Sequence, residues 1–548
     1  MKTPILGGTY VARSVNAADS RLVNLFPEVI PEGGKEPAFL QRAPGLKLLR
    51  TVGKGPIRGM WRIDQFGYIV SGNEVFRLDK GNNVQFLGNV TGTGPVSMAD
   101  NGFQLFIACN GPSFIYNLTN NSFTQITDPD FPGAVTVGYL DGYFVFNEPN
   151  SQRIWVTAVL DGSSIDPLDF ASAEASPDRA VAVLIDHKEA WIFGDNSIEV
   201  WYNSGAADYP LTPIQGAFNE VGCVAPYSVA KLDNGIFWLG ADARGRGMVY
   251  RATGYQAVRV STHAVEWHIQ RYGNLSDALA YTYQQDGHSF YVLIFPQANT
   301  TWVFDVATGL WHERAGWVNG AFTRHRSNCQ MSFNNEIVVG DFQNGNIYAL
   351  DLEVFEDNDE PQRWLRSWRA LPTSANNLKR TAQHTLQLDM ESGSVSPTEL
   401  INIELIDTTT GEDFLVQEDG GLILSEIPGI DDFLLQEDGD LILQENDDSI
   451  VIGDTSTVQG KLIIQTGMVV ANQLDPQVML RWSDDGGHTW SNEHWRSVGK
   501  AGEWGYRVFW RRLGMTEKLR DRVYEVSGTD PIKLAIMGAE LELSGSTS

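Results

Sequence analysis

Ser483, Asp485, Gly487, Thr489 and Trp490 stand in the order Ser-x-Asp-x-Gly-x-Thr-Trp, the pattern in this chain that most plainly carries chemistry. Short polar side chains at that spacing bond the amides of a turn, glycine supplies a positive φ, and the indole packs beneath. The expected chemistry is local: a structural hairpin of the Asp-box type, not a reaction centre. A second set is acidic. Residues 413–426 recur at 432–445 with 11 of 14 positions identical. Each copy reads as strand, Glu-Asp-Gly turn, strand, because Asp-Gly accepts the backbone of a tight hairpin. Glu418, Asp419, Glu437, Asp438 and Asp440 stand at these turns. Calcium would need oxygens at the close alternate spacing of an EF-hand loop, and that spacing is missing. The turns are expected to project as solvated acidic hairpins, lining a channel or an interface.

Other chemistries lack their residues. His263 and His268 are five apart, where metal ligation on one helix face wants four. His325 lies between Arg324 and Arg326, a poor setting for a cation. Gly245-Arg246-Gly247 is too short for a phosphate loop, and neither Gly-x-x-x-x-Gly-Lys-Ser/Thr nor Gly-x-Ser-x-Gly occurs. A glycosidase needs paired carboxylates, or a tyrosine nucleophile among arginines. Trp61-Arg62-Ile63-Asp64 is only a faint likeness to the sialidase Phe-Arg-Ile-Pro, and it lacks the proline. No enzyme activity, cofactor or metal is expected. Arg363, Arg366 and Arg369, with Arg511 and Arg512, interleave with tryptophans. Such clusters suit phosphate contact and protein interfaces alike, and in an acidic chain docking to a protein partner is the expected use.

β-Strands have to hold these groups in place. The chain has 548 residues, 42% of them hydrophobic, with 16 Trp, 17 Tyr and 26 Phe to fill a large core. Its 40 Lys and Arg face 68 Asp and Glu, a net charge of −28. That excludes gripping nucleic acid along a basic face, though not enclosing it. No run of about 18 apolar residues is present, so no membrane-spanning segment is expected. The first residues lack the apolar stretch of a signal peptide. Cys109, Cys223 and Cys329, odd in number and far apart, read as buried thiols in a reducing compartment. The acidity is concentrated: between Arg380 and Lys461 there are 19 Asp and Glu and no Lys or Arg.

The fold class read from the pattern is all-β: a β-propeller followed by a β-sandwich-like domain with an acidic hairpin insertion. Gly55-Pro56-Ile57, Gly94-Pro95-Val96 and Gly133-Ala134-Val135 recur at 39-residue intervals, each opening a run of short strands. Seven four-stranded units are counted from about residue 55, with six as the alternative count. The expected boundaries are an extended Pro-rich arm or clasp at 1–54, the propeller at 55–355 and a linker at 356–369. A sandwich-like domain follows at 370–545, with the acidic repeat at 411–454 inserted in it.

Several longer stretches then carry a resemblance. They are Asp141-Gly-Tyr-Phe-Val-Phe146, Asp161-Gly-Ser-Ser-Ile-Asp-Pro-Leu-Asp-Phe-Ala171, Glu199-Val-Trp-Tyr-Asn-Ser-Gly205 and Gly309-Leu-Trp-His-Glu-Arg314. The ending adds Gly502-Glu-Trp-Gly-Tyr-Arg507, Trp510-Arg-Arg-Leu-Gly514 and Arg520-Asp-Arg-Val-Tyr524. Over most of 1–410 and 460–545 the chain resembles the packaged-DNA stabilisation protein, or tail hub and nozzle, of short-tailed bacteriophages (podoviruses). The acidic repeat is the departure. The resemblance implies a non-catalytic virion protein, assembled in the host cytoplasm, six copies of which form a ring below the portal and its head-to-tail adaptor proteins. That ring would extend the DNA channel, retain packaged DNA and conduct it during ejection. A tail needle or plug would close it, and tailspikes or fibres would attach around it. DNA would pass without sequence-specific binding. The alternative reading is a tail-associated propeller that binds or cleaves glycans.

Overall fold

The computed structural model describes the chain except residues 15–17, 174–177, 207, 243–244, 373–374, 376–379, 393–401, 407–413, 417–421, 425–462, 466–474, 501, 517–521 and 546–548. Short apolar runs separated by Asn, Asp and Gly form antiparallel strands. Their hairpins turn on paired positive-φ residues such as Asp233–Asn234 (50° and 54°) and Asn334–Asn335 (51° and 65°). These are the mirror-image turns whose twist matches that of the strands they join.

Seven such sheets follow in order. The first runs Ile57–Ile63, Phe66–Ser71, Glu74–Leu78, Val84–Asn89. Later ones begin at Ser97, Val137, Ala180, Gly222 and Leu279. The seventh contains Ser327–Phe333, Glu336–Asp341 and Asn346–Asp351. Separate hydrophobic clusters lie between successive sheets, and one joins the seventh to the first through Val52, Ile57, Ile69, Met331, Val338 and Ile347. Each sheet buries both faces against its neighbours, which is what makes a closed seven-bladed propeller. One short helix, His263–Ile269, capped by Thr262, packs beside blade five.

The arm is where the expectation needs correction. Residues 1–54 are not one extended appendage. Gly45–Thr51 is the fourth strand of blade seven, pairing with Asn346–Asp351 from Asp351↔Gly45 to Asn346↔Thr51. The ring is thus closed by pairing the start of the propeller with its end. Gly55 follows at φ +75°, where a Cβ would lie 2.0 Å from the Asn344 carbonyl carbon, so only glycine fits the join between blades seven and one. Further back, Leu25–Val29 pairs with Ala38–Arg42 inside the second domain.

The 356–369 linker also needs correction. Trp364–Arg369 is an interior strand. It pairs with Val523–Gly528 on one side and with Leu22–Val23 on the other. Leu22–Val23 in turn meets Leu310–Glu313, the outer strand of blade six. One nine-stranded sheet therefore runs from blade six through the arm into the sandwich, ending at Gln477–Ser483 and His494–Ser497. Facing its sandwich half is a five-stranded sheet in the order Leu25–Val29, Ala38–Arg42, Ala535–Gly545, Thr381–Met390, Val508–Met515. Leu25, Leu40, Trp364, Trp368, Leu386, Trp510 and Tyr524 share the core between them. Even the stretch before Trp364 is tied down: Leu46 N–H donates to Glu356 O, and Asn358 N–H to Leu46 O.

Candidate functional site at the propeller–sandwich seam

The seam collects charged residues that no sequence motif places. Arg21 Nε and Nη2 donate to Glu313 Oε1 and Oε2 at 3.0 and 2.7 Å, tying the arm to blade six. Arg42 Nε donates to Gln362 Oε1 at 3.1 Å, and its Nη atoms donate to the carbonyls of Gln362, Asp530 and Ile532. Burial pulls the Arg42 guanidinium down to about 10. Neither Arg21 nor Arg42 carries a motif; only the short apolar run Leu22-Val23-Asn24-Leu25-Phe26 hints that a strand stands beside Arg21.

The five arginines expected at a docking surface separate here. Arg366 is 1% exposed. Its Nε donates to Ile5 O at 2.5 Å, and its Nη1 to Gly8 O, Ser20 Oγ and Arg21 O at 3.0–3.3 Å. Loss of water around it lowers its pKa to about 9. It holds the arm and is closed to an outside partner, which corrects that assignment. Arg363 is mostly buried; it pairs with Glu493 at 3.1 Å, donates to Ser527 Oγ, and stacks 4.4 Å over Trp317. Arg363, Glu493 and Trp317 line, with Arg21, Phe322 and Arg481, a cavity of about 450 Å³. Arg369 is half-buried at the strand end. Arg511 and Arg512 are exposed on the last strand of the five-stranded sheet. Arg511 lies 4.4 Å over Phe509, and Arg512 has φ +60° where the register shifts.

Ser483, Asp485, Gly487, Thr489 and Trp490 form a tight turn between two strands of the long sheet. Ser483 Oγ donates to Asp485 Oδ1 at 2.6 Å and accepts from Gly487 N–H at 2.7 Å. The amides of His488 and Thr489 donate to Asp485 Oδ1 at 2.9 and 2.8 Å, and Thr489 Oγ1 donates to Oδ2 at 2.6 Å. These bonds hold the Asp485 carboxyl far below the usual range. Trp490 packs under Arg481 at 4.8 Å. The adjoining Asp484 takes two bonds from Arg522, at 2.7 and 2.8 Å. Both oxygens of each carboxylate are engaged, those of Asp485 within the turn and those of Asp484 by Arg522.

Glu418, Asp419, Glu437, Asp438 and Asp440 lie outside the described residues. Of the strands near them in sequence, Phe414–Val416 pairs with Leu422–Leu424 and with Asn402–Ile406, which also pairs with Ile463–Gln465. Among the described residues no group of three or more His, Cys, Asp or Glu is placed to hold a metal ion. Nor is any helix there long and apolar enough to cross a membrane. Burial keeps the thiols protonated, pushing Cys109 up to about 11 and Cys223 and Cys329 to about 12.

A propeller closed by its own arm, and continuous through one sheet with a β-sandwich, defines a class of rigid all-β scaffold proteins. The chain belongs to the bacteriophage P22 Gp10 family: residues 1–355 match its β-propeller model and residues 446–544 its β-sandwich model. It is thus a structural component of a phage tail. No curated protein matches it. Solved structures similar to it include a streptogramin B lyase (11% identity, TM-score 0.38, covering 60% of this chain and 97% of that one). BamB from Moraxella catarrhalis (10%, 0.35, 60% and 97%) and the computationally designed Ika8 protein (11%, 0.35, 56% and 99%) are similar too.

Proposed function

We propose that six copies of this chain form a ring in the virion tail that extends the DNA channel, retains the packaged genome and conducts it during ejection. The observation that carries this reading is family membership over the whole propeller, joined to a net charge of −28. A like-charged wall repels phosphates and lets DNA slide without sequence-specific contacts. The shared nine-stranded sheet supports the same reading, because a ring under packaging pressure needs propeller and sandwich to move as one body. The ring's partners are the head-to-tail adaptor proteins above, a needle or plug below, and tailspikes or fibres around it. It assembles in the host cytoplasm and catalyses nothing. Particles made without this protein should package DNA and then leak it. Particles that keep and eject their DNA normally would contradict the role. Turnover of host glycan by the pure protein would favour the glycan-cleaving alternative.

A further inference from the structure

Five cations gather on one strand–loop–strand unit of an otherwise acidic chain. The unit runs from His494–Ser497, the last strand of the nine-stranded sheet, to Val508–Met515, the last strand of the five-stranded sheet. It is therefore the free edge of both sandwich sheets at one corner, where Trp510 Nε1 donates across to His494 O at 2.8 Å. Arg496, Lys500, Arg507, Arg511 and Arg512 are all exposed, and none pairs with a carboxylate among the described residues. Between them stand Trp495, 51% exposed, Trp504, 67%, and Tyr506, 42%. Glu503 is the one acid from 494 to 512, so the strip is +4 within a chain of −28. Exposed rings among unpaired cations on a sheet edge are costly to leave open and suit an acidic strand with apolar residues of its own.

Such a segment is rooted there. The chain leaves the described part of the sandwich after Ser392, whose Oγ donates to the carbonyls of Glu503 and Trp504 at 3.2 and 3.1 Å. It returns at Asp475, whose carboxylate accepts from Ser497 Oγ, followed by Pro476, whose carbonyl accepts from Val498 N–H at 2.8 Å. Both ends of residues 393–474 thus sit on the basic strip. Those residues hold 17 Asp and Glu against one Lys, with the Phe-Leu and Leu-Ile-Leu runs of the repeat. We propose that the strip is the docking surface for this chain's own acidic segment. The carboxylates of the segment meet the five cations, and its apolar strand residues cover Trp495, Trp504 and Tyr506. A segment tethered at both ends meets the strip at millimolar effective concentration, ahead of any free acidic partner. Five cations offset fewer than a third of 17 carboxylates, so most of the negative charge still faces outward. The inference is independent of the DNA-channel reading.

Zero-length carbodiimide coupling of the full-length protein tests it, since that reagent joins an amine to a carboxylate only in contact. The protein is assembled from an equal mixture of ¹⁴N- and ¹⁵N-labelled chains. Lys500 should link to carboxylates of residues 399–454 within one isotopic species. The yield should fall about tenfold or more between about 50 mM and 500 mM NaCl. The R507E/R511E/R512E variant, whose changes are all on exposed positions, should lose the links while keeping the wild-type melting temperature. If that variant fails to fold, the salt series on the unmodified protein decides the matter: a yield that does not change with salt overturns the proposal. Links found only between isotopic species would assign the strip to a neighbouring copy and overturn it too. So would the absence of links from Lys500 to the segment, or heparin binding at physiological salt that leaves the links intact.

Discussion

The Arg21 guanidinium and the Glu313 carboxylate meet through two hydrogen bonds, 3.0 and 2.7 Å long, 292 residues apart in sequence. This pair fastens the arm where it passes between blade six and the sandwich. R21A should therefore lower stability by about 1.5–3 kcal/mol, as expected for hydrogen bonds to a charged group. R21K should recover only part, because an ammonium cannot reproduce the two-pronged geometry. Chemical denaturation of the three proteins checks this; equal stability of R21A and wild type would show that the pair does not hold the seam.

Arg366 should matter more. Its replacement by Ala takes the guanidinium donor from the buried carbonyl of Ile5, and one of two donors each from the carbonyls of Gly8 and Arg21. With four hydrogen bonds from a charged group lost, a cost of about 3 kcal/mol or more is expected, with Lys a poor substitute. The same variant should expose residues 1–23 to protease while the propeller stays intact. Partial proteolysis read by mass spectrometry distinguishes this from an arm that stays docked.

Asp357 and His312 should drive opposite pH trends. Asp357 is 4% exposed, accepts from Gln362 Nε2 at 3.2 Å, and burial pushes it up to about 6. A carboxyl whose folded pKa is raised contributes stability below its ordinary value of about 4 and loses it as pH rises through about 6. D357N carries no charge, so it should exceed wild type by on the order of 1–2 kcal/mol at about pH 8, and the gain should vanish at about pH 4. His312, 1% exposed and pulled down to about 3 by burial, contributes above its ordinary value of about 6.5 and loses that as the pH falls. H312F should accordingly blunt acid unfolding. Urea titrations across pH measure both, and a D357N gain unchanged between the two pH values would contradict the account.

Replacing residues 406–458 by a short Gly-Ser turn should leave a folded protein that still forms rings. Ile463–Gln465 pairs directly with Asn402–Ile406, so these two strands keep each other when Phe414–Val416, the other neighbour of Asn402–Ile406, is removed. Two unit charges about 8 Å apart in water repel by only about 0.5 kcal/mol, so one copy's repeat does little and a ring of copies sums many such terms. DNA retention, ejection rate or docking of a neighbouring tail protein should change. An insoluble deletion variant would place the hairpins in the core.

The blades are legible in the sequence because their information is local. A 39-residue period, turn residues such as Asn334–Asn335 and alternating apolar runs need no distant partner to be seen. The Asp box is legible for the same reason, since its bonds span residues 483–489. The closing strand Gly45–Thr51 is not, because its partner lies some 300 residues on and its Lys47 and Arg50 look solvated. Leu22–Val23 is only two residues long, yet it joins two domains; pairing on both sides makes it a strand, not its own propensity. Arg366 misleads because an arginine between tryptophans is ordinarily exposed. Here the arm's carbonyls enclose it, and nothing in the sequence marks which carbonyls will arrive.

An electron-microscopy reconstruction of the assembled particle puts the proposed ring to the plainest test. It should show six copies of this chain in one ring beneath the adaptor proteins, coaxial with the DNA channel, with propeller and sandwich in the fixed relation set by the shared sheet. Density for the chain only at the receptor-binding periphery, or its absence from the tail axis, would contradict the account.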